Sequence, residues 1–201
     1  MFTGIVSHLG TVTRTEQIGG DLRLTVNTGG MDMSDVALGD SIMHNGVCLT
    51  AIEVGNDTLV TDLSAETLKV TTAGNWREGT RVNLEKSLTL ADRLGGHLVS
   101  GHVDGLGEVL ERKPSARAEW FMLRAPKDLA KYIATKGSIT VDGTSLTVNA
   151  VNGTDFELTI IPHTLEVTVI GGYQPGTQVN LEVDLLARYL ERLRQFDEVA
   201  P

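Results

Sequence analysis

Cys48 and His102 carry the side chains of this chain best suited to attacking an electrophile or moving a proton. A thiolate is a strong nucleophile, and an imidazole exchanges a proton near neutral pH. A lone cysteine is also commonly a small buried side chain, and a single histidine is commonly structural. Residue type therefore leaves both interpretations open, and the place of each residue in the sequence becomes the deciding observation.

Both residues stand where an internal repeat is broken. Gly4-Ile5-Val6 aligns with Gly101-His102-Val103, and Cys48-Leu49-Thr50 aligns with Ser145-Leu146-Thr147, each at an offset of 97 residues (101 − 4 and 145 − 48). The register holds without a gap as far as Glu85, which indicates that one folding unit has been duplicated. Two copies predict two equivalent pockets whose chemistry differs at Cys48 against Ser145 and at Ile5 against His102.

The repeat supplies three segments per copy whose small or polar residues suit a flat ring. They are Gly4 to Val6, Cys48 to Thr50 and Asp62 to Thr67, then Gly101 to Val103, Ser145 to Thr147 and Thr159 to Thr164. Glycine and threonine are also common where strands meet turns, so turn scaffolding is the alternative. The spacing predicts binding segments without identifying their ligand.

The sequence lacks the motifs of metal sites, nucleotide sites and serine nucleophiles. His97 and His102 are five residues apart in an extended segment and would point to opposite faces, and His44 and His163 are isolated. The sequence has no phosphate loop, no GxGxxG and no nucleophile-elbow serine. We therefore expect neither a metal enzyme nor a nucleotide enzyme.

Composition narrows the class of protein further. The 201 residues carry a formal charge of −9 (17 − 26), which argues against partners such as nucleic acid or an anionic membrane. The sequence shows no signal peptide and no stretch long enough to cross a membrane. The single cysteine cannot form an internal disulfide, so we expect a cytoplasmic protein.

Short strands and tight turns must position the candidate residues. Alternating apolar residues between glycines predict strands at 6–12, 22–26, 57–63, 82–84, 121–123 and 156–161. Asn45-Gly46, Asp142-Gly143 and Asn152-Gly153 predict tight turns, because these residue types tolerate positive φ. Many short strands joined in this way predict an all-β fold of closed barrels, with the copies separated near Ala91 to Gly96.

Helix is expected in only a few places. Pro126 to Thr135, closed by Gly137, predicts a short helix, and Asp32 to Leu38 is a weaker counterpart. Leu185 to Phe196 has apolar residues at helical spacing, with Asp184 placed to cap it. That apolar stripe either packs onto its own barrel or forms a subunit interface, and we favour the interface.

Nearly the whole chain resembles the riboflavin synthase family of the α-chain type. The motifs that carry the resemblance are Met1-Phe2-Thr3-Gly4-Ile5-Val6, Asn45-Gly46-Val47-Cys48-Leu49-Thr50, Gly95-Gly96-His97-Leu98-Val99-Ser100-Gly101-His102-Val103-Asp104-Gly105, Asp142-Gly143-Thr144-Ser145-Leu146-Thr147-Val148 and Ile161-Pro162-His163-Thr164-Leu165. They occur in the family's order and at its spacing. Ala51 departs from the pattern, standing where a β-branched residue is usual, and the C-terminal helix sequence is individual to this chain.

The resemblance implies two Greek-key barrels, residues 1–96 and 97–184, and a C-terminal helix, 185–201, that assembles a homotrimer. Each barrel would bind one 6,7-dimethyl-8-ribityllumazine, with the reactive site between barrels of neighbouring subunits. One lumazine would transfer a four-carbon unit to the other, giving riboflavin and 5-amino-6-(ribitylamino)uracil with no cofactor. The main alternative is a lumazine- or flavin-binding optical protein that shares the fold and lacks turnover.

The resemblance also implies roles for individual residues. His102 would transfer the proton, and Cys48 would act as a donor or assist a nucleophile. Ser41, placed with them among the catalytic residues, would hydrogen-bond ring or ribityl oxygens. The substrate contacts would be Gly4, Ile5, Val6, Cys48, Leu49, Thr50, Asp62, Leu63, Ser64, Ala65, Glu66, Thr67, Gly101, His102, Val103, Lys136, Asp142, Ser145, Leu146, Thr147, Thr159, Ile160, Ile161, Pro162, His163, Thr164 and Asp184.

Three of these assignments keep a plainer alternative. Lys136, which would reach the ligand of the adjacent chain, is otherwise a solvated charge. Asp184 is otherwise only a helix cap, and Ser41 is otherwise a hydroxyl where a strand meets a turn.

Overall fold

Two closed antiparallel barrels follow one another along the chain, which confirms the predicted all-β architecture. The structure is a computed structural model that describes residues 1–199. The first barrel contains β1 (His8–Ile18), β2 (Asp21–Asn27), β3 (Ser41–His44), β4 (Val47–Val54), β5 (Thr58–Leu63) and β6 (Arg81–Lys86). The second contains β7 (Gly105–Ser115), β8 (Ala118–Arg124), β9 (Ser138–Val141), β10 (Thr144–Asn152), β11 (Asp155–Ile160) and β12 (Gln178–Val183).

Strand order is the same in both barrels. Around the first barrel it is β1-β2-β5-β4-β3-β6, and the second reproduces it as β10-β11-β8-β7-β12-β9. Because β2 lies beside β5 rather than β3, the chain crosses the end of the barrel between them, as a Greek key requires. In β2, the alternating residues Leu22, Leu24 and Val26 point into the barrel core.

Two of the predicted turns are tight hairpins that touch each other. Asn45 and Gly46 have φ of 44° and 82°, and Asp142 and Gly143 have φ of 42° and 78°. Positive φ at both central positions is the geometry of a two-residue turn between twisted strands. A Cβ on Gly46 would stand 2.9 Å from the Gly143 nitrogen, so the two barrels meet at these turns.

Paired asparagines join the barrels at this seam. Asn83 donates from Nδ2 to the Asp142 carbonyl at 2.8 Å, and Asn180 donates from Nδ2 to the Asn45 carbonyl at 2.7 Å. The Asn83 side-chain oxygen also accepts from the Val169 amide at 2.8 Å. In the same way, the Asn180 side-chain oxygen accepts at 2.8 Å from the amide of Thr72, the counterpart of Val169. These asparagines belong to the repeated Val-Asn-Leu-Glu motif, whose role the sequence alone did not reveal.

The helices are short except for the last. They are α1 (Ala65–Val70), α2 (Pro162–Val167) and α3 (Leu185–Val199). The prediction of a helix over Pro126 to Thr135 is wrong, because only Ala130–Tyr132 forms a 3₁₀ turn there. Ile133 is already extended at φ −92° and ψ 114°, and it packs with Leu129 into the second core. Asp32 to Leu38 forms turns rather than a helix.

The C-terminal helix begins as predicted. The Asp184 side chain accepts a hydrogen bond from the Leu186 amide at 3.0 Å, which confirms it as a cap. The predicted element reached residue 201, and its last two residues lie outside the described part. In residues 1–199 no helix is long and apolar enough to cross a membrane.

Candidate functional site

Segments predicted to line one pocket come from different copies of the repeat. The Ser145 amide donates to the Gly4 carbonyl at 2.8 Å, and the Cys48 amide donates to the Gly101 carbonyl at 2.8 Å. The interpretation that each copy builds its pocket from its own three segments is therefore corrected. The chain exchanges the segments around Gly4 and Gly101 between the two barrels.

Glycine is required at both crossing points. Gly4 and Gly101 have φ of +75° and +78°, a region that other residues rarely adopt. A Cβ on Gly4 would stand 2.6 Å from the Ser145 Cβ, and one on Gly101 would stand 2.7 Å from the Cys48 Cβ. Next to these points Phe2 pairs with Val99 across the local twofold arrangement, with amide-to-carbonyl distances of 2.7 and 3.1 Å.

We name the two resulting depressions by their central residues. The Cys48 cleft consists of Cys48 to Thr50, Asp62 to Thr67 and Gly101 to Val103. Pairing between β4 and β5 starts only at Ala51 and Thr61, so the two strands diverge where these segments lie. Val103 packs against the first barrel's core, which confirms that its segment belongs with the first barrel in space.

The Ser145 cleft repeats this arrangement on the second barrel. It consists of Gly4 to Val6, Ser145 to Thr147 and Thr159 to Thr164. Pairing between β10 and β11 starts at Val148 and Leu158, so these strands diverge in the same way. The structure thus brings the predicted binding segments together as two clefts and leaves main-chain groups along their strand edges.

Side chains in the clefts divide by burial. Val6, Leu49, Leu63 and Ile160 are buried, so only their main-chain groups are available to a ligand. The side chains of Thr50, Thr147 and Thr159 are exposed, and those of Cys48 and Ser145 are half-buried. A flat ligand would therefore meet backbone amides, backbone carbonyls and a few hydroxyl or thiol groups.

A buried carboxylate holds each exchanged segment in place. Glu182 accepts from the Ser100 amide at 2.6 Å and hydroxyl at 2.7 Å, then from the amides of Gly101 at 2.9 Å and His102 at 3.1 Å. All four donors lie on the segment that carries His102. Because a buried carboxylate is stable only when its acceptor sites are filled, Glu182 both needs and orders this segment.

Glu85 makes the equivalent contacts with one difference. It accepts from the Thr3 amide at 2.7 Å and hydroxyl at 2.6 Å and from the Gly4 amide at 3.1 Å. The Ile5 amide donates instead to the Thr3 hydroxyl at 3.1 Å. Burial raises the pKa of Glu85, and the Thr3 and Gly4 donors oppose that rise only in part.

The surroundings of Cys48 are apolar. Phe2, Met43 and Val99 form a small buried cluster against which Cys48 packs. The thiol therefore sits beside hydrocarbon on one side and the cleft on the other. At the 97-residue offset, the counterparts of Met43 and Cys48 are Thr140 and Ser145.

The equivalent place beside Ser145 is polar. His97 lies within 2.7 Å of the Ser145 hydroxyl through Nδ1 and within 3.1 Å of the Thr140 hydroxyl through Nε2. Burial lowers the pKa of His97, and the carboxylates of Asp184 and Glu182 offset this in part.

His102 and Ile5 face two grooves of unequal size. His102 lines a groove of about 290 Å³ with Asp104, Leu185 and Arg188. Ile5 lines one of about 630 Å³ on the other barrel. The His102 groove is flanked by α3, whose Arg188 forms an ion pair with Asp104.

The remaining predicted residues lie around the clefts. Ser41 pairs with Thr50 across the β3–β4 ladder, at the edge of the Cys48 cleft. Lys136 is exposed, and its amide donates to the carbonyl of Val148, one residue beyond Thr147. Its φ of +67° is unusual for a residue other than glycine, and Gly39 occupies the offset position in the first copy.

Several side chains in the 62–67 and 159–164 segments are engaged locally. Asp62 accepts two hydrogen bonds from Arg23 at 2.8 and 2.9 Å, and this pairing lowers its pKa. Ser64 caps α1 by accepting from the Thr67 amide at 3.2 Å. His163 is exposed within α2. These contacts show how the segments keep their shape, and ligand contact stays a prediction for them.

Asp142 is engaged at the seam between the barrels, and its assignment to the substrate stays a prediction. It is buried at the seam, where its carboxylate accepts from the Tyr173 hydroxyl at 2.6 Å and from the Asn180 amide at 2.8 Å. Burial raises its pKa to about 7. Both carboxylate oxygens accept hydrogen bonds inside the protein, and Asp142 also lines a groove between the two barrels.

Glu85 and Glu182 were missed by reasoning from the sequence. Their signal was visible as an identical Val-Asn-Leu-Glu in both copies, in which a carboxylate follows alternating apolar residues. A charged residue at a buried strand position indicates a special partner. In the described range 1–199, no three His, Cys, Asp or Glu side chains lie together as metal ligands.

The model of a lumazine binding domain matches the sequence twice, at residues 3–87 and 100–184. A riboflavin synthase from Photobacterium phosphoreum is 48% identical over 198 residues, covering 98% of this chain and 91% of that protein. A riboflavin synthase from Brucella abortus is 46% identical over 203 residues, covering 98% of this chain and 100% of that protein.

Solved structures share the fold. The crystal structure of LumP complexed with riboflavin superposes with a TM-score of 0.83 at 23% identity, covering 91% of this chain and 99% of LumP. LumP complexed with 6,7-dimethyl-8-(1'-D-ribityl) lumazine gives a TM-score of 0.81 at 21% identity, with the same coverage. At this identity the likeness establishes the double-barrel architecture alone.

Proposed function

The chain belongs to the riboflavin synthase family, and from this premise we propose that it converts two molecules of 6,7-dimethyl-8-ribityllumazine into riboflavin and 5-amino-6-(ribitylamino)uracil. One lumazine gives up a four-carbon unit and the other receives it. The observation that carries the proposal is the pair of equivalent clefts with unlike central residues, on a chain 48% identical to a riboflavin synthase. Two identical substrates that play different roles suit two clefts of one shape and unlike chemistry.

Holding both substrates in fixed orientation is the main contribution of the protein. Well-oriented reactants gain effective molarities of about 10⁵–10⁸ M, because the entropy of bringing them together is lost on binding. Each exchanged segment is fixed by a buried glutamate, which makes the cleft walls rigid before substrate arrives. No metal or organic cofactor is required by the proposed reaction.

Proton transfer is assigned to His102 and thiol chemistry to Cys48. The 7-methyl group of a lumazine is acidic, because its anion delocalises into the ring. His102 would remove or return that proton, and its amide is fixed by Glu182. Cys48, joined to the same segment through Gly101, would donate a hydrogen bond or assist a nucleophile at the neighbouring ring.

The remaining contacts hold the ring and the ribityl chain. Exposed Thr50 and Thr147 offer hydroxyls beside main-chain groups, and Ser41 lies next to Thr50. Lys136 keeps a positive φ where the first copy has glycine, a strained backbone that supports a functional role. In our proposal its ammonium group reaches the ligand of an adjacent subunit.

Assembly as a homotrimer with its site between subunits forms part of the proposal. Leu186, Tyr189, Leu190, Leu193 and Phe196 on α3 are each about two-thirds exposed (64–67%) and form one apolar stripe. A stripe of this width needs a partner surface in water. Analytical ultracentrifugation would test the trimer, and Leu190→Glu should dissociate it. A wild-type monomer would contradict the assembly.

We further propose residues 1–96, 97–184 and 185–201 as the units of duplication and assembly, although the exchanged segments cross between barrels in space. We also propose a cytoplasmic location, because the unpaired Cys48 suits a reducing compartment.

One experiment separates the enzyme from a binding protein. The purified chain is incubated with 6,7-dimethyl-8-ribityllumazine alone, and fluorescence and chromatography follow the appearance of riboflavin. Conversion to riboflavin and the uracil product in equal amounts supports the proposal. Tight binding without conversion would overturn it and favour an optical lumazine- or flavin-binding protein.

A further inference from the structure

The hydrogen-bond chain beside Ser145 has one direction in which every buried proton is paired. Thr140 is 1% exposed, and within residues 1–199 its hydroxyl has a single side-chain partner, Nε2 of His97, at 3.1 Å. A hydroxyl proton buried without an acceptor costs about 1–3 kcal/mol, so the arrangement of lower free energy directs this proton to His97. Nε2 of His97 therefore accepts.

The tautomer of His97 follows from that acceptor role. A neutral imidazole carries one proton, so when Nε2 accepts, Nδ1 holds the hydrogen. Burial lowers the pKa of His97, which keeps the ring neutral near pH 7 although Asp184 and Glu182 stand nearby. Nδ1 then donates to the Ser145 hydroxyl at 2.7 Å.

Ser145 is thereby left with its own proton to donate. Its oxygen accepts from His97, and in the described residues no other side-chain partner of that hydroxyl is present. Unlike Thr140, Ser145 is half-buried at the wall of its cleft. The opposite tautomer would leave the unpaired proton on buried Thr140 instead, at higher free energy.

We propose that Thr140 and His97 are positioning residues that fix the Ser145 hydroxyl as a hydrogen-bond donor to the substrate in the Ser145 cleft. The substrate atom that it meets is an acceptor, a ring nitrogen or carbonyl oxygen, which gains negative charge as a lumazine ionises. This inference rests on the proposed function and deepens it. Successive donors polarise one another, so the last hydroxyl of the chain is a stronger donor than an isolated serine.

The Cys48 cleft has no equivalent device. The counterpart of Thr140 is Met43, which packs with Phe2 and Val99 and has no hydroxyl to orient anything. The two clefts therefore offer one substrate a fixed donor and the other a thiol backed by hydrocarbon. This difference gives the two identical substrates unlike environments.

The first test measures the tautomer directly and needs no turnover. Protein labelled with ¹⁵N-histidine is studied by two-dimensional NMR, and the His97 signals are identified by their loss in His97→Gln. We expect the proton on Nδ1 in the wild type and a mixture of tautomers in Thr140→Val. A proton on Nε2 in the wild type would overturn the inference, even if the protein makes riboflavin.

The second test is kinetic and uses matched variants. Thr140→Val should lower kcat about tenfold with KM within about twofold, because the lost orientation matters most when charge develops. Ser145→Ala should lower kcat about 100-fold, as loss of a donor to a developing anion does. Thr140→Ser should restore the wild-type rate within about twofold.

The control removes a buried hydroxyl elsewhere. Thr28 is 0% exposed and its hydroxyl has no partner, so Thr28→Val makes the same chemical change outside the clefts and should leave kcat unchanged. Thermal melting checks that every variant is folded at the assay temperature. A folded Thr140→Val with wild-type kcat would overturn the positioning role, whereas a wild type without turnover would overturn only the proposed function.

Discussion

Beside Cys48 the protein packs Phe2, Met43 and Val99, whereas beside Ser145 it places Thr140 and His97. The backbone of the two regions is nearly the same, since each central residue donates its amide to a glycine carbonyl at 2.8 Å. Duplication has therefore kept the main-chain frame and replaced a whole set of neighbouring side chains. A single substitution of serine by cysteine would not have separated the two clefts chemically.

At the seam between the barrels, a second group of neighbouring side chains differs between the two copies. Asn45 and Trp76 in the first copy correspond to Asp142 and Tyr173 in the second. The Tyr173 hydroxyl donates to the Asp142 carboxylate. The indole of Trp76, its counterpart, has no hydroxyl and carries its N–H donor at a different point of the side chain. By contrast, Asn83, Asn180 and the two clamping glutamates are unchanged in type, because both barrels depend on them for the same contacts.

The largest effect is expected from breaking the clamps. Glu182→Gln replaces one accepting carboxylate oxygen with an NH₂ group, which is itself a donor and cannot accept from the N–H and O–H groups that face it. The change should lower the unfolding free energy by about 3 kcal/mol. Glu85→Gln should cost about 2 kcal/mol, because Glu85 accepts three hydrogen bonds and Glu182 accepts four. Urea unfolding at pH 7 measures both. A larger loss for Glu85→Gln would contradict the difference between the clamps.

The next effect concerns His102 and its counterpart Ile5. His102→Ala should lower kcat by about 100-fold or more, since general acid–base catalysis contributes about 10²–10⁴-fold. Ile5→Ala should mainly raise KM, because it removes apolar contact area without a proton carrier. Steady-state kinetics with lumazine measures both, and His8→Ala serves as the control. Equal losses of kcat in the two variants would remove His102 from the reaction.

A third prediction concerns the seam and depends on pH. The pKa of Asp142 is raised in the folded protein to about 7, so the folded state binds its proton more tightly than the unfolded state does. Stability from this group is therefore fully present below about pH 4, falls as pH rises toward 7 and is constant above that. Between pH 5 and 8 the loss should be roughly 1–3 kcal/mol.

Asp142→Asn removes this titration and makes the second copy resemble the first, which has Asn45. The difference in unfolding free energy between Asp142→Asn and the wild type, followed from pH 5 to pH 8, should therefore move in favour of the variant. Taking the difference cancels the contributions of Glu85, His44 and His97, whose pKa values also shift. A difference that does not change with pH would show that Asp142 does not titrate in this range.

The smallest effect is expected at Lys136, which matches Gly39. Lys136→Gly relieves a positive φ and should raise the unfolding free energy by about 0.5–1 kcal/mol while lowering turnover. Lys136→Ala is the matched control, because it removes the ammonium group and keeps the strain. If Lys136→Gly is more stable and equally active, the strained lysine has no role at the site.

Much of the architecture could be predicted from the sequence because its signals are local. Asn45-Gly46 and Asp142-Gly143 carry positive φ as expected, and Asp184 caps the helix that its spacing indicated. The prediction of a helix over Pro126 to Thr135 is wrong because the segment is too short to be a stable helix without tertiary packing. A short helix is marginal by itself, and burial of Leu129 and Ile133 favours an extended continuation.

The candidate site was predictable as a set of segments and not as an arrangement. Its segments repeat at a fixed offset, but the contact of Gly4 with Ser145 joins residues 141 apart (145 − 4) and leaves no local pattern. Asp142 was assigned to the ligand because of the family resemblance alone. Only the packing of one barrel on the other shows that it is buried.

The exchange of segments also determines the order in which the molecule can be completed. Gly4 is synthesised well before Ser145, yet its carbonyl pairs with the amide of that later residue, on a strand that begins at Thr144. Domains generally fold as they emerge, beginning with the N-terminal one. Here the Gly4 segment stays undocked until β10 has been synthesised, and Cys48 stays uncovered until Gly101 has been synthesised. A truncated product that stops before β10 therefore cannot close the Ser145 cleft.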